Sequence, residues 1–128
     1  MIDEDDEPEL VKALFDQLVK APIKTFCRGC RDVPNEEGVY VIYGPYPWDV
    51  RYVGRTHRAV LRVPFRRGLR RRLSNHKAKY APKHCSFRFL VVKDPRQRAL
   101  LEAYATGHLC PADIRVGKIG ELDDDSSS

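Results

Sequence analysis

Six consecutive residues, Gly38-Val39-Tyr40-Val41-Ile42-Tyr43, are β-branched or aromatic behind a leading glycine, and Gly44-Pro45 with Pro47 ends them. Such a run is a buried strand that leaves into a loop. Residues 51–55 return as a second short strand, and a hairpin with its loop around 45–49 is the economical connection.

The rest of the chain arranges itself around that hairpin. From Pro8 to Lys20 the residues Leu10, Val11, Leu14, Phe15, Leu18 and Val19 form one stripe of an amphipathic helix, with Pro8 in the first turn and Pro22 after the stop. Between Phe65 and Tyr80 the apolar residues Phe65, Leu69, Leu73 and Tyr80 keep helical spacing, while Arg66, Arg70, Arg71 and Lys77 point elsewhere. Residues 87–92 read as a third strand ended by Asp94-Pro95. Pro95 opens a last helix running to about Gly107, with Ala99, Leu100, Ala103 and Tyr104 inward. The expected fold is α+β: a small, mainly antiparallel three-stranded sheet flanked by helices, with the N-terminal helix as an added layer. One domain over 7–120 is expected, between an acidic, disordered leader at 1–6 and an acidic, serine-tipped, disordered tail at 121–128.

A net charge of +5 conceals a strong asymmetry. Six acids lie in 3–9 and four in 121–125, leaving eight against all 23 Lys and Arg of the central block, an excess of fifteen positive charges. A domain so basic, and so rich in arginine, points to nucleic acid as its partner. No run of about 18 apolar residues exists to span a bilayer, and the start of the chain is acidic where a secretory signal would be basic, so an intracellular, cytoplasmic protein is expected. The four cysteines fit reduced thiols better than a disulfide framework. Cys27-Arg-Gly-Cys30 has the spacing of half a zinc site, with His84, Cys85 or Cys110 as completing ligands, but no second matched pair accompanies it, and ordinary thiols are the preferred reading.

Arg72 and His76 lie one helical turn apart and share a face, on the same edge as Leu69 and Leu73, hence at the rim of the core. Glu102 sits between Leu101 and Ala103 and is the only acid between Asp94 and Asp113. Tyr40 and Tyr52 lie on the two strands of the hairpin. Phosphodiester hydrolysis needs an activated water, charge compensation on the phosphoryl oxygens and a stabilised leaving alkoxide. A carboxylate with a hard divalent cation, an arginine and a base meet those demands.

With Gly38-Val39-Tyr40, then Tyr52-Val53-Gly54, then Arg72-x-x-x-His76 and a helical Glu102 in that order, residues 38–114 resemble the GIY-YIG nuclease superfamily. The resemblance implies a DNA endonuclease, acting on duplex or branched DNA, with Tyr40, Tyr52, Arg72, His76 and Glu102 at its catalytic site. It implies that Glu102 holds Mg²⁺, or Mn²⁺ in its place, that the tyrosines do base and phosphate-orienting work, and that Arg72 contacts the scissile phosphate. Gly54, Arg55, Arg62, Arg66, Arg67, Arg70, Arg71 and Lys77 would hold substrate, and no small-molecule cofactor is expected. Two departures stand out. Where many members carry an asparagine after Pro-x-x, Pro111-Ala112-Asp113-Ile114 has isoleucine, with Asp113 the nearest polar residue. The stretch 56–68 is also longer than the minimal form, and its Arg58, Arg62, Arg66 and Arg67 suit an insertion against DNA. The competing expectation is a non-catalytic nucleic-acid-binding module that keeps the fold and the basic helix.

Overall fold

The computed structural model describes residues 6–26, 30, 32–46, 48–56 and 68–112. Along the chain these form helix α1 (Glu7–Lys20), strands β1 (Lys24–Thr25), β2 (Gly38–Tyr43) and β3 (Val50–Arg55), helix α2 (Leu69–Tyr80), a 3-10 turn at Ala81–Lys83, strand β4 (Ser86–Val91) and helix α3 (Pro95–Leu109). The sheet is antiparallel throughout, in the order β1-β4-β2-β3. It therefore has four strands where three were expected. The addition is β1, which pairs Lys24 with Phe87 and Thr25 with Ser86. Arg88 of β4 braces this edge by donating from Nε to the Ala21 carbonyl at 2.8 Å.

Strand β2 runs between β4 and β3, and all six of its residues are buried. Its alternation divides the core in two. Tyr40 and Ile42 join Tyr52, Leu69, Leu73, Tyr80 and Phe87 on the face covered by α2. Val39, Val41 and Tyr43 join Val53, Leu18, Leu101 and Ala105 on the face covered by α1 and α3. A sheet buried on both faces has no room for polar residues on its central strand, which is why β2 lacks the alternation of apolar and polar residues seen in half-buried strands.

Each helix is fixed by local chemistry. Asp94 caps α3 by accepting from the backbone N–H of Arg96 at 2.8 Å and of Gln97 at 3.2 Å, and Pro95 supplies a first helical residue that needs no donor. Helix α2 starts from Gly68, whose φ of 98° and whose closeness to Asn35 both require glycine. The expected opening turn of this helix at 65–67 lies outside the described residues. Helix α1 packs along α3, where Phe15 meets Tyr104 edge-on at 5.2 Å and Arg96 makes two hydrogen bonds to the Glu7 carboxylate, at 2.6 and 2.9 Å.

The inward face of α3 differs from the expected one. Arg98, Leu101 and Ala105 are buried, Ala103 is exposed, and Ala99, Leu100 and Tyr104 lie at the flanks. A helix with apolar residues on all sides leaves its own rotation to the packing, and here Tyr104 turns toward Phe15 of α1. Buried Arg98 donates from Nη1 to the carbonyls of Val92 at 3.0 Å and Lys93 at 2.8 Å, so it closes the turn into α3. Desolvation lowers its pKa, with the Glu37 carboxylate acting in the opposite sense. No helix among the described residues is long and apolar enough to cross a membrane.

Candidate active site

Tyr40 and Gly54 face each other across the β2–β3 ladder, as do Ile42 and Tyr52. Tyr40, Tyr52 and Gly54 thus share the α2 face of the sheet. His76, on the inner edge of α2, comes down onto them. Its ring centroid is 5.5 Å from that of Tyr40, 5.1 Å from Tyr52 and 5.8 Å from Tyr80, and its Nε2 is 2.9 Å from the Tyr40 hydroxyl oxygen. With the proton on Nδ1, the ring accepts at Nε2 from the Tyr40 O–H; with the proton on Nε2, the phenolic oxygen accepts. Tyr40 is fully buried, Tyr52 is 8% exposed and His76 is half-buried. Tyr40, expected as a base, is therefore shut off from solvent, and His76 is the partly exposed member of the pair.

Gly54 is what lets the tyrosines lie together. A Cβ there would stand 2.5 Å from the Tyr40 hydroxyl oxygen and 2.8 Å from Cε2 of Tyr52. The expected role of this glycine was substrate approach; its first task is to clear space for two rings. The next residues along β3 are equally constrained. Thr56 donates from Oγ1 to the Glu37 carboxylate at 2.6 Å and accepts at the same oxygen from the Gly38 N–H at 2.9 Å, which holds the ends of β2 and β3 together. No sequence motif marks Thr56 or Glu37, and neither is among the expected site residues.

Arg72, one turn before His76, is 7% exposed, so its charge belongs to the inner edge of α2. The outer surface of that helix carries exposed Arg70, Arg71, Lys77 and Lys79, the last of which is not among the expected contacts. Arg70 is partly committed to structure, because its Nε donates to the Val33 carbonyl at 2.7 Å. Arg58, Arg62, Arg66, Arg67, Cys27 and Asp113 lie outside the described residues. Cys30 and Cys85 are buried in the core on the α2 side, where desolvation raises the Cys30 thiol above its ordinary pKa against the opposing influence of Ser74, Lys77 and Arg70, and Cys110 is exposed.

Glu102 stands apart from the tyrosines. Arg55 pairs with Val39 across the ladder and so points to the α3 face, where its Nη1 donates to Glu102 Oε1 at 2.5 Å. Both side chains are about a quarter exposed, at 27% and 20%. β3 is an edge strand, and Gly54 and Arg55 are consecutive on it. The tyrosine–histidine cluster and the Arg55–Glu102 pair are thus two groups on opposite faces of the sheet, joined through the last residues of one edge strand. Among the described residues no three of His, Cys, Asp and Glu converge. A hard cation held by Glu102 would complete its shell with water and phosphate oxygens, a donor set that Mg²⁺ accepts. The chemistry of the donor set fits, with the condition that Arg55 and the cation share one carboxylate.

Scanned against models of known protein families the chain matches none, and no curated protein matches it.

Proposed function

We propose that this chain is a DNA endonuclease of the GIY-YIG kind, dependent on a divalent cation and hydrolysing phosphodiester bonds inside the cell. The observation that carries the reading is the 2.9 Å contact between buried Tyr40 and half-buried His76, whose ring also lies against Tyr52. A histidine so held has one nitrogen engaged by a phenol and a fixed ring plane, as a group that moves a proton to or from a water or an alkoxide requires. In this reading His76 is the residue that exchanges protons with the reacting water, and Tyr40 positions it. The Tyr52 ring, its centroid 5.1 Å from that of His76, packs against the same imidazole. Arg72 is the cation nearest along the helix to counter charge on the phosphoryl group, and Arg71, Lys77 and Lys79 track the phosphate backbone. Glu102 is the residue that would hold Mg²⁺ or Mn²⁺, which when bound supplies Lewis acidity toward a phosphate oxygen.

One observation favours the second reading, a nucleic-acid-binding module without cleavage. Glu102 is neutralised by Arg55 and lies across the sheet from the tyrosines, so the pair also makes sense as a structural ion pair. Supercoiled plasmid and branched DNA incubated with Mg²⁺, Mn²⁺ or EDTA separate the two. The nuclease nicks only with metal, and Glu102→Ala abolishes nicking while binding DNA at least as well. Binding without cleavage by the unaltered chain, across substrates and both metals, makes it the module.

A further inference from the structure

The β2–β3 hairpin ends in a loop that exposes two aromatic rings side by side. Trp48 is 77% exposed and Tyr46 56%, and their rings stack with centroids 5.0 Å apart and planes 10° from parallel. The loop beneath them is pinned. Gly44 donates to the Asp49 carbonyl at 2.7 Å, Asp49 donates to the Tyr46 carbonyl at 3.1 Å, and Arg51 holds the Asp49 carboxylate through Nε at 3.1 Å and Nη2 at 3.0 Å. A side chain at residue 44 would meet that carboxylate and push it away from Arg51. An ordered, flat, solvent-facing π surface is costly to leave bare and gains nothing for the core.

We propose that Tyr46 and Trp48 form a stacking platform for an unpaired nucleobase, so that the nucleic acid taken by this chain carries a single-stranded portion beside its cleavage or binding site. The inference rests on the nucleic-acid part of the function proposed above and names its substrate class. Among the described residues the other exposed large apolar side chains are Ile23, ahead of β1, and Val91, at the far end of β4. Among the described residues the rings therefore have no contiguous aliphatic surround of the kind a protein-docking patch needs, while every nucleobase offers a flat face of matching shape. The excess of fifteen positive charges between the two acidic ends supplies the attraction for a phosphate chain. Along β2 the loop lies within about 20 Å of Tyr40, a span of six residues at roughly 3.3 Å each. One strand can therefore reach the platform and the His76 site together.

Trp48 is the only tryptophan, so its emission reports on the platform directly. In EDTA, the full chain is titrated with a twelve-nucleotide thymidine strand and with an abasic strand of the same length and charge. The thymidine strand is expected to quench Trp48 saturably and to bind about tenfold tighter than the abasic strand. Trp48→Ala and Tyr46→Ala, followed by fluorescence anisotropy of labelled strands, should erase that difference and leave binding of the abasic strand unchanged. Equal affinity for the two strands, or binding with no change in emission, overturns the platform and leaves the basic helix as a nucleic-acid surface. No binding of either strand overturns the platform, and the plasmid and branched-DNA assay then decides separately on the reading beneath it. Emission that changes with protein concentration alone makes a second copy the occupant and overturns the proposal.

Discussion

A methyl group at position 54 would press on the Tyr40 hydroxyl and on the Tyr52 ring at once, and Tyr40 is fully buried and has no space to withdraw into. Gly54→Ala should therefore cost roughly 1–3 kcal/mol of stability, the usual penalty of overpacking, measured by urea unfolding. It should also part Tyr40 from His76. Nuclease activity should consequently fall further in Gly54→Ala than the loss of folded protein explains, when rates are normalised to the folded fraction. Tyr40→Phe separates positioning from packing, because it keeps the ring and removes only the hydroxyl. We expect His76→Ala to lose about 10²–10⁴-fold in cleavage rate, the range of general acid–base catalysis, and Tyr40→Phe to lose less while moving the pH–rate profile. An unmoved profile with a slower rate would reduce Tyr40 to a filler of the core. The tyrosines, histidine, arginine and glutamate are legible in the sequence as residue types at suggestive spacings. Their partition between two faces is not, because it depends on the pairing of Arg55 with Val39 and of Gly54 with Tyr40, and register is a tertiary quantity.

At the scale of elements, the clasp between α1 and α3 offers a pH-dependent test. The hydrogen bond from Arg96, and then its charge, hold the Glu7 carboxyl below the ordinary glutamate pKa. A depressed folded-state pKa means that the contribution is complete above the unfolded value of about 4.3 and is lost as pH falls through the folded one. Thermal unfolding of Glu7→Gln beside the unaltered chain should show a gap at pH 7 that closes under acid. A gap that persists when the carboxyl is protonated would mean that packing, not the ion pair, joins the two helices. Sequence patterning recovers α1, β2, β3 and β4 closely because each has a run or stripe of apolar residues bounded by proline or glycine. It misses β1, two residues long, since Lys24 and Thr25 carry neither an apolar run nor alternation, and their pairing to Phe87 and Ser86 is decided by the exposed edge of β4. The rotation of α3 is unreadable for the opposite reason, a surplus of apolar residues around its circumference.

For the molecule as a whole, the asymmetry of charge makes the strongest statement, and the order of residues along the chain is enough to reveal it. The fold refines it by sorting the cations. Arg72 and Arg98 are buried, Arg55 is engaged by Glu102, Arg96 by Glu7 and Arg70 partly by Val33, whereas Arg71 and Lys77 stand exposed on α2, and exposed Lys79 lies with its Nζ 5.1 Å from the centroid of the Tyr80 ring. Exposed charges such as those on α2 can release counterions from DNA with little loss of fold. Replacing Arg71, Lys77 and Lys79 together by alanine should leave the unfolding midpoint nearly unchanged. It should weaken duplex binding uniformly across sequences and flatten the dependence of log affinity on log salt by roughly 0.9 for each phosphate contact removed, close to 3 if all three touch phosphate. Anisotropy of a labelled duplex between 50 and 200 mM salt reads this directly. A slope unchanged in the triple variant would move the phosphate-binding surface off α2.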